Sequence, residues 1–291
     1  MSRQEILNCS FPLWYKHLHA ESIESVVLKI PQIFIDYLLA DGLFLPDNPV
    51  DETPDVISTD EENQSKRIFL DNDFVEFQSQ VVSAISELGG KVFPKLNWSS
   101  PRDASWIAVN GSLCCENFND ICLLLKSSEF ITHDLTDPFM MSQRVNVDST
   151  EGSAVEYVLV LRKWIEICPS GEYRCFIKNN KLIAISQRSD QYFSFIEGEK
   201  NSIVRSIKHF HKNFVHEKFP NTSYILDLYA PGSNRRPIII DFNPFVRITD
   251  GLLFSWDELE EEVAMPELVE GNAIRGVVFR SLKTQGTYSS L

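Results

Sequence analysis

SYILDLYAPGSNRRPIIIDFNPFV, residues 223–246, places two short runs rich in Ile, Leu and Tyr on either side of a loop, Pro231 to Arg235, built from turn residues. That pattern predicts a β-hairpin. Each run carries one acid in its middle, Asp227 and Asp241. A turn symmetric about Asn234 sets the two carboxylates opposite each other, where like charges about 5 Å apart destabilise a sheet. Asn243, two residues beyond Asp241, shares its face because side chains alternate along a strand. Two carboxylates and an amide oxygen form a patch that a hard cation such as Mg²⁺ relieves. A solvent-facing acidic pair on an ordinary hairpin accounts for the same residues, and the hairpin alone does not separate the two.

Upstream of the hairpin the chain reads mostly as strands. Val155 to Lys163 is a strong β run, and Glu172–Lys178 and Lys181–Gln187 flank Asn179-Asn180, a tight-turn signal because Asn tolerates positive φ. Ser202 to Lys218 reads as a helix with Ile203, Ile207, Phe210 and Phe214 inward. Further upstream, Phe74 to Leu88 repeats apolar residues every three or four positions, with acids at Asp71 and Asp73 and Gly89-Gly90 as a stop. Lys91 to Leu96 then reads as a strand and Phe118 to Ser128 as a second helix. Phe11 to Leu45 suggests packed helices with a short extended piece, Ile33, Phe34, Tyr37 and Leu38 following helical spacing. Met140 and Met141 read as packing residues. The order of elements gives an α+β class. The expected divisions are 1–67 (helical segment and acidic insert), 68–163 and 164–282 (two lobes) and 283–291 (tail).

At 291 residues the chain is long enough for one large core or two modest ones, and 43% hydrophobic residues fit a globular protein. No run approaches the roughly 20 apolar residues of a membrane span, and the N-terminus lacks a secretory apolar segment. The expected location is the cytoplasm, and a net charge of −14 argues against nucleic acid or anionic membrane as the main partner. The acids are concentrated: Asp47–Glu62 and Asp257–Glu270 hold seven each with no Lys or Arg. Such runs are solvated faces or docking surfaces for a basic partner. The six cysteines show no CxxC pair and read as buried small hydrophobes. His209 and His211 lie about 200° apart on a helix and cannot chelate together, so solvent-facing histidines are expected.

The cations are more informative. Lys95 lies in a strand among Val92, Phe93 and Leu96; Arg162 and Lys163 end the strong strand before Trp164; Arg174 sits within Glu172–Phe176. Each alone reads as an edge residue, an ion-pair partner or an anion ligand. With the Asp/Asp/Asn patch they supply what a nucleoside triphosphate requires: cations for phosphate oxygens, carboxylates for Mg²⁺ and an apolar slot for the base.

A strand lysine, a hinge strand and a C-terminal strand ending Asp241-Phe242-Asn243-Pro244 resemble the ATP-grasp superfamily, in which two α+β lobes with mainly antiparallel sheets clamp ATP. More narrowly, Phe93–Ile107, Leu159–Ile167, Glu172–Arg188 and Ile238–Phe245 resemble the cell division cycle protein 123 family, over nearly the whole chain. The resemblance implies ATP and Mg²⁺ as cofactors, with Asp227, Asp241 and Asn243 as metal ligands. It implies Lys95 and Arg174 on phosphate, Ser99 and Arg102 assisting, Arg162, Lys163 and Trp164 bordering adenine, and Glu172 within the same set. It further implies a monomeric assembly factor that engages the gamma subunit of translation initiation factor 2, promotes the heterotrimer and supports cell-cycle progression. Two departures count against acyl-phosphate ligase chemistry, which must exclude water. Asn97–Asp103 stands where the superfamily has a glycine-rich lid, and Phe245 follows Asn243-Pro244 where arginine is frequent. An ATP-dependent ligase or phosphotransferase is therefore the second expectation.

Overall fold

The computed structural model describes residues 1–46, 67–108, 111–139, 155–232, 235–261 and 277–283. The acidic run 47–62, most of the run 257–270, Met140, Met141, Ser233 and Asn234 lie outside the described residues. The class is α+β, as expected, and the chain forms two compact units, Glu24–Trp164 and Met1–Ile23 with Ile165–Leu291. The N-terminal helical segment is thus shared between them.

In the unit Glu24–Trp164, β1 (Ser25–Lys29) and β2 (Val92–Lys95) flank β3 (Val158–Lys163) in an antiparallel sheet. The apolar residues of β3 make it the centre, since both its edges are paired and five of its six residues are buried. Asn97 prolongs the β2–β3 pairing with its side chain, donating to Glu156 O at 3.0 Å and accepting from Val158 N at 3.0 Å. Against the sheet pack α3 (Gln32–Leu39), α4 (Asn72–Glu87), α5 (Phe118–Lys126) and α6 (Glu129–Thr136). Asp71 caps α4 on Asp73 N at 2.9 Å, and Gly89 and Gly90 end it at φ 93° and 86°, where a Cβ would strain the backbone. Phe34 centres the core, its ring 4.8 Å from Phe77 and 5.8 Å from Phe74. Phe34→Ala is expected to cost about 3–5 kcal/mol, measured by urea denaturation, because the cavity cannot collapse among large rings.

The other unit holds α1 (Arg3–Asn8), α2 (Phe11–Leu18) and a five-stranded sheet. Its strands are β4 (Glu172–Lys178), β5 (Lys181–Gln187), β6 (Tyr224–Tyr229), β7 (Ile238–Pro244) and β8 (Val278–Arg280), in the order β7-β6-β4-β5-β8. All neighbours are antiparallel except β5 and β8. Asn179 and Asn180 take positive φ, 49° and 64°, and close the β4–β5 hairpin as expected. Aromatic rings join α2 to the sheet: Trp14 is 5.2 Å from Phe242, which stacks on Phe219 at 4.0 Å. Of the cysteines, Cys9, Cys115, Cys122 and Cys175 are buried as expected, whereas Cys114 is half-buried and Cys168 exposed.

The helix expected from Ser202 begins earlier, as α7 (Phe195–Phe210), and runs into a π-turn, His211–Val215. That turn rotates His211 inward, so it is not solvent-facing; it bonds the Tyr224 hydroxyl at 2.8 Å and is 5% exposed. Burial, and then the neighbouring His216, hold its pKa down at about 4. The unfolded imidazole takes a proton near 6.5, so His211 contributes stability that is complete above pH 6.5 and is lost as pH falls towards 4. The loss is about 3 kcal/mol. Melting curves of His211→Gln, which keeps a partner for Tyr224 without titrating, are expected to lose that part of the acid dependence.

Candidate functional site

The register of the five-stranded sheet sets one polar row across all its strands. Asp241 on β7 pairs with Asp227 on β6, Asp227 with Arg174 on β4, Arg174 with Ser186 on β5, and Ser186 with Arg280 on β8. Directly opposed residues share a face, so the two aspartates of residues 223–246 do face each other. Leu228 pairs with Ile239, leaving Ile240 as the extra residue of a bulge beside Asp241. The row on the far side of Asp241, Asn243–Ile225–Phe176–Ala184–Val278, is apolar except for Asn243 and packs against Phe254 and Leu259.

The carboxylate opposition is relieved from within. Arg174 donates from Nε to Asp227 Oδ1 and from Nη2 to Asp227 Oδ2, both at 2.8 Å, a buried bidentate pair with side chains 6% and 3% exposed. Its Nη1 donates to Asp250 O at 2.7 Å. Burial works to lower the Arg174 pKa, and the charges of Asp227, Asp250 and Asp241 outweigh it, so the guanidinium stays charged, with its pKa raised. Asn243 Nδ2 also donates to Asp227 Oδ2 at 3.3 Å. Arg188 lies 3.6 Å from the same oxygen through Nε and bonds Glu172 Oε2 at 3.2 Å through Nη1. Asp241 accepts from Phe242 N at 3.1 Å and is half-buried.

The loop carrying the Asp250 carbonyl is tightly folded. A Cβ on Gly251 would lie 2.4 Å from Phe254 O, so only glycine fits. Gly251→Ala is expected to lower stability by about 1–3 kcal/mol in urea melts, since backbone must shift to admit the methyl.

This unit therefore gathers Glu172, Arg174, Asp227, Asp241 and Asn243, and adds Arg188 and the Asp250 carbonyl. The donor set suits Mg²⁺: hard oxygens from two carboxylates and an amide, few enough that phosphate and water complete the shell. No trio of His, Cys, Asp and Glu among the described residues is arranged to hold a metal. A cation at Asp227 has to share that carboxylate with Arg174, which bonds both its oxygens.

In the unit Glu24–Trp164, Lys95 is 1% exposed at the end of β2, and Arg162 is 4% exposed on β3. Buried cations next to apolar cores are costly unless an anion meets them. Lys163 instead turns outward to Glu24 at 2.9 Å. The backbone N–H groups of Lys163 and Trp164 go to Glu24 O and Lys91 O, both at 2.9 Å, so these two donors serve the sheet. Arg102 is exposed at the start of a 3-10 turn, Arg102–Ile107. Ser99 is engaged within its own unit. Its N–H and hydroxyl donate to Asp134 at 2.7 and 2.8 Å, and Trp98 N joins them at 3.3 Å.

Among curated proteins the chain is similar to the "Translation initiation factor eIF2 assembly protein" of Xenopus tropicalis, 43% identical over 89% of this chain and 79% of that one. The Dictyostelium discoideum protein of the same name is 40% identical over 90% of this chain and 77% of that one. Among solved structures, Cdc123 from Schizosaccharomyces pombe superposes with a TM-score of 0.74 at 31% identity, covering 96% of this chain and 97% of that one. No described helix is long and apolar enough to cross a membrane. The D123 family model matches residues 14–287, nearly all of this chain, and with relatives this similar the chain belongs to the D123 family.

Proposed function

We propose that the chain is an ATP–Mg²⁺-binding assembly factor for eIF2, working as a monomer in the cytoplasm. Its likeness to proteins named for eIF2 assembly supports the role, and the row Asp241–Asp227–Arg174 is the observation that carries the cofactor. Asp241, Asn243 and Asp227 form the metal set. Arg174, with Glu172 and Arg188 near it, serves phosphate, and so do Lys95 and Arg102, while Arg162, Lys163 and Trp164 border the base. Bound Mg²⁺ supplies charge neutralisation between carboxylates and phosphates.

In this reading Arg174 holds Asp227 in place and keeps its charge, so a metal is met by a carboxylate already oriented. The gamma subunit of the factor is the partner, and nucleotide stabilises the chain in the conformation that binds it. Through the heterotrimer the chain supports translation initiation and cell-cycle progression. Holding is favoured over bond-making because Ser99, at the place of the superfamily's lid, gives its donors to Asp134.

Mixing separately purified eIF2 subunits with and without this chain and ATP–Mg²⁺, then resolving heterotrimer by gel filtration, tests the role. A higher heterotrimer yield with the chain, and its co-elution with isolated gamma subunit, are expected. Equal yields and no co-elution contradict it.

A further inference from the structure

The carboxylate of Asp134 is buried, 4% exposed, on α6. Three donors of the loop after β2 converge on it: Trp98 N at 3.3 Å, Ser99 N at 2.7 Å and Ser99 Oγ at 2.8 Å. Successive backbone N–H groups with an adjoining hydroxyl form an anion-binding concavity, the arrangement proteins offer to phosphate. Here the anion is the chain's own side chain. Burial raises the Asp134 pKa, while the bonds from Ser99, the charge of Lys95 and the bond from Trp98 act the other way. Lys95, the cation assigned to phosphate, is therefore within electrostatic reach of a carboxylate that shares its low-dielectric surroundings.

We propose that Asp134 is an internal competitor for nucleotide phosphate. It takes the Trp98 and Ser99 donors for itself, which makes the loop a fixed wall instead of a closing lid, and its charge weakens the pull of Lys95 on phosphate. This inference rests on the nucleotide-binding reading above. Two consequences differ from those of an ordinary phosphate loop. The Ser99 hydroxyl contributes nothing to nucleotide affinity, and removing the Asp134 charge strengthens binding.

The test is calorimetric titration of ATP–Mg²⁺ into the full chain and its variants, each first checked for a cooperative thermal melt. Ser99→Ala is expected to bind ATP within about twofold of wild type, and Asp134→Asn about tenfold more tightly, the effect of about 1.4 kcal/mol from one neighbouring charge. A tenfold loss in Ser99→Ala overturns the proposal, because it makes the hydroxyl a phosphate ligand. So does unchanged or weaker binding by a folded Asp134→Asn. Misfolding damage cannot produce the expected gain, and Ser99→Ala decides the matter if Asp134→Asn does not fold. Absence of ATP binding by wild type would fail the proposed function itself, whereas wild-type binding with either variant deviating fails this inference alone.

Discussion

Asp227→Ala is expected to destabilise the unit built from Met1–Ile23 and Ile165–Leu291 by about 3–5 kcal/mol, the loss seen when one partner of a buried ion pair is removed. The cause is what remains. Arg174 sits 5% exposed with Nε and Nη2 bonded to the Asp227 carboxylate, and truncation leaves its buried charge without that counter-ion. Arg188 and Asn243 lose the same acceptor. Against a typical total of about 5–15 kcal/mol, that is a large share of the stability. Replacing both members of the pair with apolar residues of similar volume is expected to recover much of the loss, because the desolvation cost of two charges disappears with them. Urea denaturation of the single and double variants measures both effects. A cost below about 1 kcal/mol for Asp227→Ala would show that Arg174 finds another anion.

Asp241→Ala is expected to do the opposite: little to stability, much to ligand binding. Asp241 lies one strand further out, half-buried, with its like-charged neighbour Asp227 directly opposed across the pair. Removing it takes away one of two like charges opposed across the strand pair and leaves the buried Arg174–Asp227 pair intact, so melting temperature should stay within a few degrees of wild type. In the metal set, however, Arg174 already bonds both oxygens of Asp227, so the proposed site leans on Asp241 for its second carboxylate. Its loss is expected to weaken ATP–Mg²⁺ binding at least about tenfold, about 1.4 kcal/mol, and to abolish the difference between ATP with and without Mg²⁺. Calorimetry on the folded variant reads this directly. Unaltered Mg²⁺ dependence would remove Asp241 from the metal set.

The strands around the site were legible because their signals are local. Asn179-Asn180 marks its own turn, and the alternating apolar runs mark β4 to β7 without help from distant residues. Counting outward from Asn234 names the right opposition of Asp227 and Asp241, but the pairs nearer the turn, Leu228–Ile239 and Tyr229–Ile238, are one residue off that count, and it is the bulge at Ile240 that brings the two aspartates together. What counting could not find is what the bulges displace. The register of β4 and β5 shifts between Phe176 and Ile177, so the pairing that begins at Lys178–Lys181 brings Arg188 to Glu172 only after a slip of one residue. Arg188 was accordingly missed.

Asp134 left no signal either. It acts on Ser99 from 35 residues away, and only the packing of α6 beside the loop brings them together. The inward turn of His211 depends on a π-turn that no 3.6-residue period describes. The hardest role to read was that of Arg174. A strand arginine reads as an anion ligand or an ion-pair partner, and the structure gives its fork to the very aspartate expected to hold the metal.

The most direct test of the account is a calorimetric titration of the wild-type chain with ATP in the presence and absence of Mg²⁺. Stoichiometric binding at least about tenfold tighter with Mg²⁺ is expected, since without it the negative triphosphate meets the carboxylates of the metal set with no metal ion between them. Absence of binding under both conditions, or equal affinity in the two, would contradict it.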